Sequence, residues 1–484
     1  MGGDGKKSLG ALYIECMFDC SQWPVIVENG LRWVWDYRQE ISSAENFRVF
    51  LRESLTLEQR EEVLKKFSSR AVEVIDELKS PGFFAQELAR FYGFPSRKLK
   101  LIGVTGTNGK TSTVTLITYM LTQLGFKTLA IGTLGLTSFK SSGVLESNGE
   151  TGFTSPDLPI LNSILSQAVE KGFDFVVMEV SSHALSLGRV DCVDFDEGIF
   201  LNLDRDHLDF HKTIENYAAA KELLFSNVLL KSSSNKKTLS IFNGDDKYGK
   251  LWNQKYQELF TVKEFSLGAN YKVLREDLSG LEIETNNVIF KVPLLGGFNA
   301  ENVMAAVSAV ESWAKLPNSV LEKFPGIPGR MELVKNGNKY FYVDYAHKPL
   351  ALEKALSILK SLKLENQKLW CVFGCGGNRD PGKRPIMGEI AARIADRVIV
   401  TSDNPRKENP HDIISQIISG VEESKRPRIQ AIESRAFAIE TAFRHMSEND
   451  ICLVAGKGPE NYQIIGETKI FFDDREVIKS LTNN

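Results

Sequence analysis

The chain has 484 residues, too many for one ordinary hydrophobic core, so two to four domains are expected. Hydrophobic residues make up 42% and charged residues 25%, which excludes a disordered or fibrous chain. Lys and Arg (59) nearly balance Asp and Glu (62), and a net charge of -3 gives neither a basic field for nucleic acid nor a polybasic membrane patch.

Residues 1–97 are charged and helix-leaning, as in "SLTLEQREEVLKKFSSRAVEVIDELK", with strand-like runs at "ALYIEC" and "LRWVW". Two lysines precede an apolar stretch at the start, but Glu15 interrupts it and no small-residue cleavage site follows, so export is not expected. No uncharged apolar run approaches the roughly 20 residues that span a bilayer. Six cysteines are ordinary cytosolic usage, and a cytoplasmic location is expected. Cys16/Cys20 and Cys371/Cys375 share a three-residue gap. The latter pair lies in the apolar run "KLWCVFGCGG" and reads as buried thiols rather than zinc ligands.

From 98 to 328, strand-like runs ("KLKLIGVT", "KTLAIGTL", "FDFVVMEV", "DEGIFLNL") alternate with helical ones ("KTSTVTLITYMLTQL", "LPILNSILSQAVEKG", "TIENYAAAKELLF"). Such alternation predicts a mainly parallel sheet covered by helices. "LSGLEIETNNVIFKVPLLGG" reads as a small antiparallel insertion. The Pro- and Gly-rich "KFPGIPGRMEL" marks a hinge. A second βα series fills 329–484, with strands at "KYFYVDYA", "KLWCVFGC", "DRVIVTSD", "RIQAIES" and "DICLVAGKG". The expectation is an α/β protein of three domains: a reduced N-terminal α/β domain (1–97), a central phosphate-loop domain (98–328) and a doubly wound, Rossmann-like C-terminal domain (329–484). Ligands of open α/β sheets bind beyond the carboxyl ends of strands, where most polar motifs of this sequence fall.

The first motif is Gly106-Thr107-Asn108-Gly109-Lys110-Thr111-Ser112, between a strand and a helix. Glycines let backbone N–H groups approach phosphate oxygens, and the helix N-terminus adds partial positive charge. Lys110 would reach the outer phosphates and Thr111 or Ser112 a magnesium ion, although Val104 stands where the strict pattern has its first glycine. ATP or GTP is the expected ligand. Further on stand Glu179, Ser181, Ser182 and His183, then Asp206, His207, His211 and Lys221. A strand-end carboxylate near a phosphate loop suits magnesium. His207 and His211, four apart, could bind zinc if helical, but Leu208 and Phe210 read as packing residues and His207 reads better beside magnesium and phosphate. Pattern alone makes Lys221 a solvent-facing helix lysine.

Ten stretches, "GVTGTNGKTS", "TSPD", "MEVSSHAL", "NLDRDHLDFHKTIENYAAAK", "GGFNAENVMAAV", "GRME", "VDYAHKP", "GCGGNRDPGKRPIMG", "DNPR" and "GKGPE", together resemble the Mur ligases of peptidoglycan synthesis in order and spacing, from about residue 80 onward. Within that family the chain is most similar to the branch that adds meso-diaminopimelate to UDP-N-acetylmuramoyl-L-alanyl-D-glutamate. The resemblance implies an ATP- and magnesium-dependent, monomeric ligase that forms an amide through an acyl phosphate. It implies catalytic roles for Lys110, Glu179, His207 and Lys221, the last carrying a CO₂-derived carbamate that helps Thr111 and Glu179 hold magnesium. ATP contacts are implied for Gly106 to Ser112, Asn299, Arg330, Asp344 and His347, with the C-terminal domain expected to close over the nucleotide. Thr154, Ser155, Ser181 and Arg189 are implied for the UDP-linked dipeptide. Arg379, Asp403, Asn404, Pro405, Arg406, Gly456 and Glu460 are implied for diaminopimelate, with Arg406 on its remote carboxylate.

That carboxylate is what L-lysine lacks, so an unmatched guanidinium would disfavour lysine. Three departures stand out: Pro459 replaces the histidine of the family's "GKGHE", Leu187 replaces a glutamine common in relatives, and no "DSR"-type uridine motif precedes residue 80. Rival readings are folylpolyglutamate synthetase, which lacks the Arg-bearing turn, a non-catalytic scaffold, which would be expected to lose Lys110, Glu179, His207 or Lys221, and a simple phosphate-loop kinase.

Overall fold

The computed structural model describes residues 85–482 except Glu87, Phe91, Gly152, Ser234 and Lys237. The strand-like runs expected before residue 80, and Cys16 and Cys20, lie outside the described residues. Two compact units emerge. One holds the described residues up to Tyr271 together with Glu301–Pro317, and the other Lys272–Ala300 together with Asn318 onward.

In the first unit the chain runs β1 (Lys100–Thr105), α1 (Lys110–Gln123), β2 (Thr128–Gly132), β3 (Gly135–Phe139), β4 (Leu145–Gly149), α2 (Leu158–Glu170), β5 (Phe175–Glu179), α3 (Ser182–Ser186), β6 (Glu197–Phe200), α4 (Leu208–His211), α5 (Ile214–Leu223), β7 (Leu239–Asn243), α6 (Lys247–Tyr256) and β8 (Thr261–Phe265). The sheet order is β4-β3-β2-β5-β1-β6-β7-β8. All neighbours are parallel except β2–β3 and β3–β4. Central strands covered on both faces need apolar residues at every position, so β1 and β5 read as continuous hydrophobic runs. Their register puts Val104 beside Glu179, so the loop after β1 and the end of β5 emerge side by side.

The second unit begins with the antiparallel β9 (Tyr271–Asp277), β10 (Gly280–Thr285) and β11 (Val288–Val292). After α7 (Gly297–Val310) come β12 (Glu332–Asn336), β13 (Lys339–Asp344), α8 (Pro349–Leu362), β14 (Leu369–Phe373), α9 (Lys383–Ile394), β15 (Arg397–Val400), α10 (Pro410–Ser419), β16 (Ile429–Ala431), α11 (Arg435–His445), β17 (Ile451–Ala455), β18 (Tyr462–Ile465), β19 (Thr468–Phe471) and α12 (Asp474–Ser480). The main sheet runs β12-β13-β17-β14-β15-β16, with only β12–β13 antiparallel. Side chains alternate across it. Leu369, Cys371 and Phe373 join a core with Leu356, Met387 and Ile417, while Trp370 and Val372 join another with Ile439, Phe443 and Ile478. Two cores on two faces make this a doubly wound sheet.

The antiparallel segment, read from sequence as part of 98–328, groups instead with the C-terminal unit. Leu278 and Leu295 belong to the core beneath α8, and the backbone of Gly296 lies against Ile358. Cys371 and Cys375 are buried free thiols, as expected, and burial pushes the Cys375 thiol up to about 12. Among the described residues no helix is long and apolar enough to cross a membrane.

Candidate active site

The loop after β1 closes onto α1 through Gly109, whose φ of 87° is left-handed. A Cβ there would also collide with the Asn302 side-chain oxygen, so conformation and space both require glycine. Thr107 N–H donates to Asn202 O (2.9 Å) and Asn108 N–H to Asn202 Oδ1 (2.9 Å), while the Thr107 hydroxyl donates to the Tyr217 oxygen (3.3 Å). The loop is therefore held from outside, with the first amides of α1 following at its end. At the end of β5, buried Glu179 accepts from Thr111 Oγ1 (2.9 Å) and Thr133 N–H (2.8 Å) on Oε1. Its carboxylate presses so closely on β2 that a Cβ on Gly132 would meet it. A hydroxyl and a carboxylate side by side are hard oxygen donors, which suits magnesium.

Two lysines converge on one carbonyl. Lys110 Nζ donates to Gly106 O (2.8 Å) and Thr107 O (2.9 Å), and Lys221 Nζ donates to the same Gly106 O (2.8 Å). Lys221 is 1% exposed and lies 4.4 Å over the Tyr217 ring, so the solvent-facing reading from pattern alone is corrected. The residues around it on α5, Tyr217, Ala218 and Ala220, are buried too. Burial first and the Lys110 charge second hold Lys221 well below the usual lysine range, against a weaker pull from Asp206.

Beside Glu179, Ser155 Oγ donates to the Glu179 carbonyl (2.9 Å) and accepts from Ser181 N–H (3.0 Å). Ser181 caps α3 by accepting from Ala184 N–H (3.1 Å). Arg189 pairs with Asp157 (3.0 Å), donates to Ser155 O (3.2 Å) and stacks on Phe153. Thr154 meets Thr133 through their hydroxyls (3.3 Å). All four expected dipeptide contacts thus gather around Glu179. Leu187 is exposed.

His207 precedes α4 with a left-handed φ of 53°. Its ring lies 4.9 Å from that of His183, which is 5.4 Å from His211. His211 exchanges a hydrogen bond with Ser182 Oγ (2.9 Å), and burial lowers it to about 4. Among the described residues no group of three or more His, Cys, Asp or Glu side chains is arranged to hold a metal ion.

In the second unit Asp344 ends β13 and accepts from Met331 N–H (2.8 Å) and Ala346 N–H (2.9 Å); burial raises its carboxyl despite Arg330 nearby. Arg330 lies over the Tyr345 ring, and that ring meets His347, lowered by burial. Asn299 is buried at the start of α7, donating to Leu295 O (2.7 Å). The turn at Gly329 (φ 64°) interlocks with Gly458–Pro459. A Cβ on Gly329 would strike the Pro459 nitrogen, and one on Gly458 would come 2.7 Å from Tyr345 Cβ.

The turn after β15 carries the other expected set. Asn404 Nδ2 donates to Glu460 Oε2 (2.9 Å), and its Oδ1 accepts from Ile464 N–H (2.9 Å) and Lys457 Nζ (3.3 Å). Lys457 also pairs with Glu460 (3.2 Å) and is fully buried, although the sequence reading passed over it inside "AGKGPE". Gly456, at φ 116°, leaves room for Asp403, whose Oδ2 would lie 2.7 Å from any added Cβ. Arg406 has a left-handed φ of 52° and donates from Nη1 to Gly377 O (2.8 Å). Its own N–H donates to Ile464 O (3.0 Å) and its carbonyl accepts from Gly466 N–H (2.8 Å). Pro405 precedes it in the turn, and Arg379 is exposed in the neighbouring loop.

A parallel sheet ending in a phosphate loop, a strand-end carboxylate and a buried lysine define a nucleotide-dependent enzyme. The model of the Mur ligase middle domain matches residues 104–310, and that of the Mur ligase, glutamate ligase domain matches residues 329–458. The chain belongs to the Mur ligase family. It is 42% identical over 407 residues to the UDP-N-acetylmuramoyl-L-alanyl-D-glutamate--2,6-diaminopimelate ligase of Nostoc sp., covering 80% of this chain and 78% of that protein. The protein of the same name from Syntrophomonas wolfei is 40% identical, covering 81% of this chain and 80% of its own. A solved structure of a ligase of that name superposes with a TM-score of 0.61 at 33% identity, covering 82% of this chain and 80% of that one.

Proposed function

We propose that this protein is an ATP-dependent ligase that joins meso-diaminopimelate to the D-glutamate carboxylate of UDP-N-acetylmuramoyl-L-alanyl-D-glutamate, in peptidoglycan precursor synthesis. One observation carries the reading most directly: Lys110 and the enclosed Lys221 meet at the Gly106 carbonyl, next to Thr111 and Glu179. A carboxylate oxygen attacks the γ-phosphorus of ATP, the bridging P–O bond breaks, and ADP leaves. The free amine of diaminopimelate then adds to the acyl carbon, and phosphate departs as the amine proton is lost. Such chemistry gains most from positioning and charge neutralisation.

Gly106 to Ser112 would hold the phosphates, Lys110 the transferring group, and Asn299, Arg330, Asp344 and His347 the rest of ATP. Magnesium, which neutralises phosphate charge when bound, would be held by Thr111, Glu179 and a carbamate on Lys221. Lys221's displacement toward the neutral amine supports that carbamate, because only a free amine forms the N–C bond to CO₂. His207 would stand by the phosphates. Thr154, Ser155, Ser181 and Arg189 would hold the dipeptide substrate. Arg406 would clamp the remote carboxylate of diaminopimelate, Glu460 and Asn404 its ammonium, with Arg379, Asp403, Pro405 and Gly456 completing the pocket. The protein would act as a cytoplasmic monomer on small molecules.

With ATP, magnesium and the UDP-linked dipeptide, purified protein is expected to release phosphate faster with meso-diaminopimelate than with L-lysine. Equal or reversed rates refute the assignment.

A further inference from the structure

We propose that the ion pair of buried Arg384 with half-buried Glu408 is the positioning element that aims Arg406 and thereby sets the choice of amino acid; the inference rests on the functional reading above. Arg384 sits in the first turn of α9, yet it is 1% exposed. Its guanidinium donates from Nη1 to Glu408 Oε2 (2.8 Å) and Gln416 Oε1 (2.7 Å), and from Nη2 to Glu408 Oε1 (3.1 Å) and Gly376 O (3.3 Å). A long cation gives up water only where a fork of this kind replaces it.

Both partners reach into the loops that flank the proposed clamp. Glu408 Oε1 also accepts the backbone N–H of Asn378, in the loop after β14. Lys407 N–H donates to Asn378 Oδ1 (3.0 Å) and Gly377 N–H to Asn404 O (2.9 Å). The ion pair thus ties the loop after β14 to the turn after β15, and Arg406 lies between them with Nη1 on Gly377 O. Asn378 and Arg406 both hold left-handed backbones (φ 50° and 52°), which non-glycine residues keep only where their surroundings enforce it. Hairpin β18–β19 enforces it for Arg406 from one side, and Glu408 enforces it for Asn378 from the other. Arg384 and the Asn378 N–H hold the Glu408 carboxyl below the usual range, so the tie stays charged through neutral pH.

The test measures kcat/KM for meso-diaminopimelate and for L-lysine in Glu408→Gln, Arg384→Lys and Arg406→Ala. Glu408→Gln keeps the shape and removes the charge, and Arg384→Lys keeps the charge and removes the fork. Each is expected to lower the diaminopimelate-to-lysine ratio by at least about tenfold, since an ångström of misplacement costs up to about 100-fold. The loss should fall on KM for diaminopimelate, with KM for ATP and the rate with lysine unchanged. A merely structural role would depress both amino acids together, and that result, or an unchanged ratio in both variants, overturns the inference. Arg406→Ala separates the two levels. If it abolishes discrimination while the pair variants do not, the inference alone falls; if it too leaves the ratio intact, the clamp reading falls with it.

Discussion

Replacing Lys221 by methionine tests the two-lysine arrangement at its source. Two ammonium nitrogens that each sit 2.8 Å from one oxygen are at most twice that, about 5.6 Å, apart. At an effective dielectric of about 20 their repulsion is about 3 kcal/mol. Methionine removes that term and gives up a cation–π contact with Tyr217 worth about 1 kcal/mol. The expected net gain while both amines are protonated is about 2 kcal/mol, read by urea unfolding in CO₂-free buffer below the lowered Lys221 pKa. Because folding lowers the Lys221 pKa, the folded wild type binds fewer protons than the unfolded chain below the ordinary lysine value of 10.5. Its stability should therefore rise as pH climbs from the lowered value toward 10.5, and the variant should lack that rise. Turnover should fall by at least about 100-fold, in line with losing one preorganised charge partner. A variant that is less stable than wild type in CO₂-free buffer, with the pH slope unchanged, would refute the repulsion argument. Retained turnover would refute the carbamate.

Removing dissolved CO₂ should lower the wild-type rate reversibly, with bicarbonate restoring it; a rate indifferent to both would exclude the carbamate separately. Glu197, buried on β6 beside Ser312, Lys263 and Trp313, is raised by burial from 4.5 to about 8. Its contribution is fully present below pH 4.5 and is lost as pH rises through about 8, a cost of about 3 kcal/mol already at pH 7. Glu197→Gln should flatten that fall in a pH series of unfolding curves. His211, lowered to about 4, works in the opposite sense: its contribution is present above pH 6.5 and lost as pH falls through about 4, so His211→Phe should remove an acid-side loss over that window, seen by thermal melts. Glu179→Gln should raise the magnesium concentration needed for half-maximal rate by at least about tenfold, as expected for loss of a charged metal-side oxygen.

Much of this fold was legible because its central strands are covered on both faces. Runs such as "LIGVT" and "FVVME" must be apolar throughout, and each ends at a polar motif. The edge strands gave weaker signals. β4 is "LESNG" with no buried residue, and β8 buries only Phe265, so neither carries a hydrophobic pattern. The phosphate loop and the Arg406 turn were readable from glycine, lysine and proline placement. Burial of a charged side chain was not. Lys221 on α5 and Lys457 between two glycines look like surface lysines in one dimension, and only packing by distant residues encloses them. Arg384 and Glu408 were missed for the same reason, because their pairing depends on two loops from separate strands.

The interlock of Gly329 with Pro459 joins stretches 130 residues apart into one inherited unit. Proline brings no amide hydrogen to the point where the glycine presses, so returning a histidine there reintroduces a donor against an occupied surface. A side chain on Gly329 could likewise enter only by displacing Pro459. The turns proposed to hold the nucleotide and the amino acid are therefore fitted to each other, and a graft of either alone from a relative should arrive mis-seated.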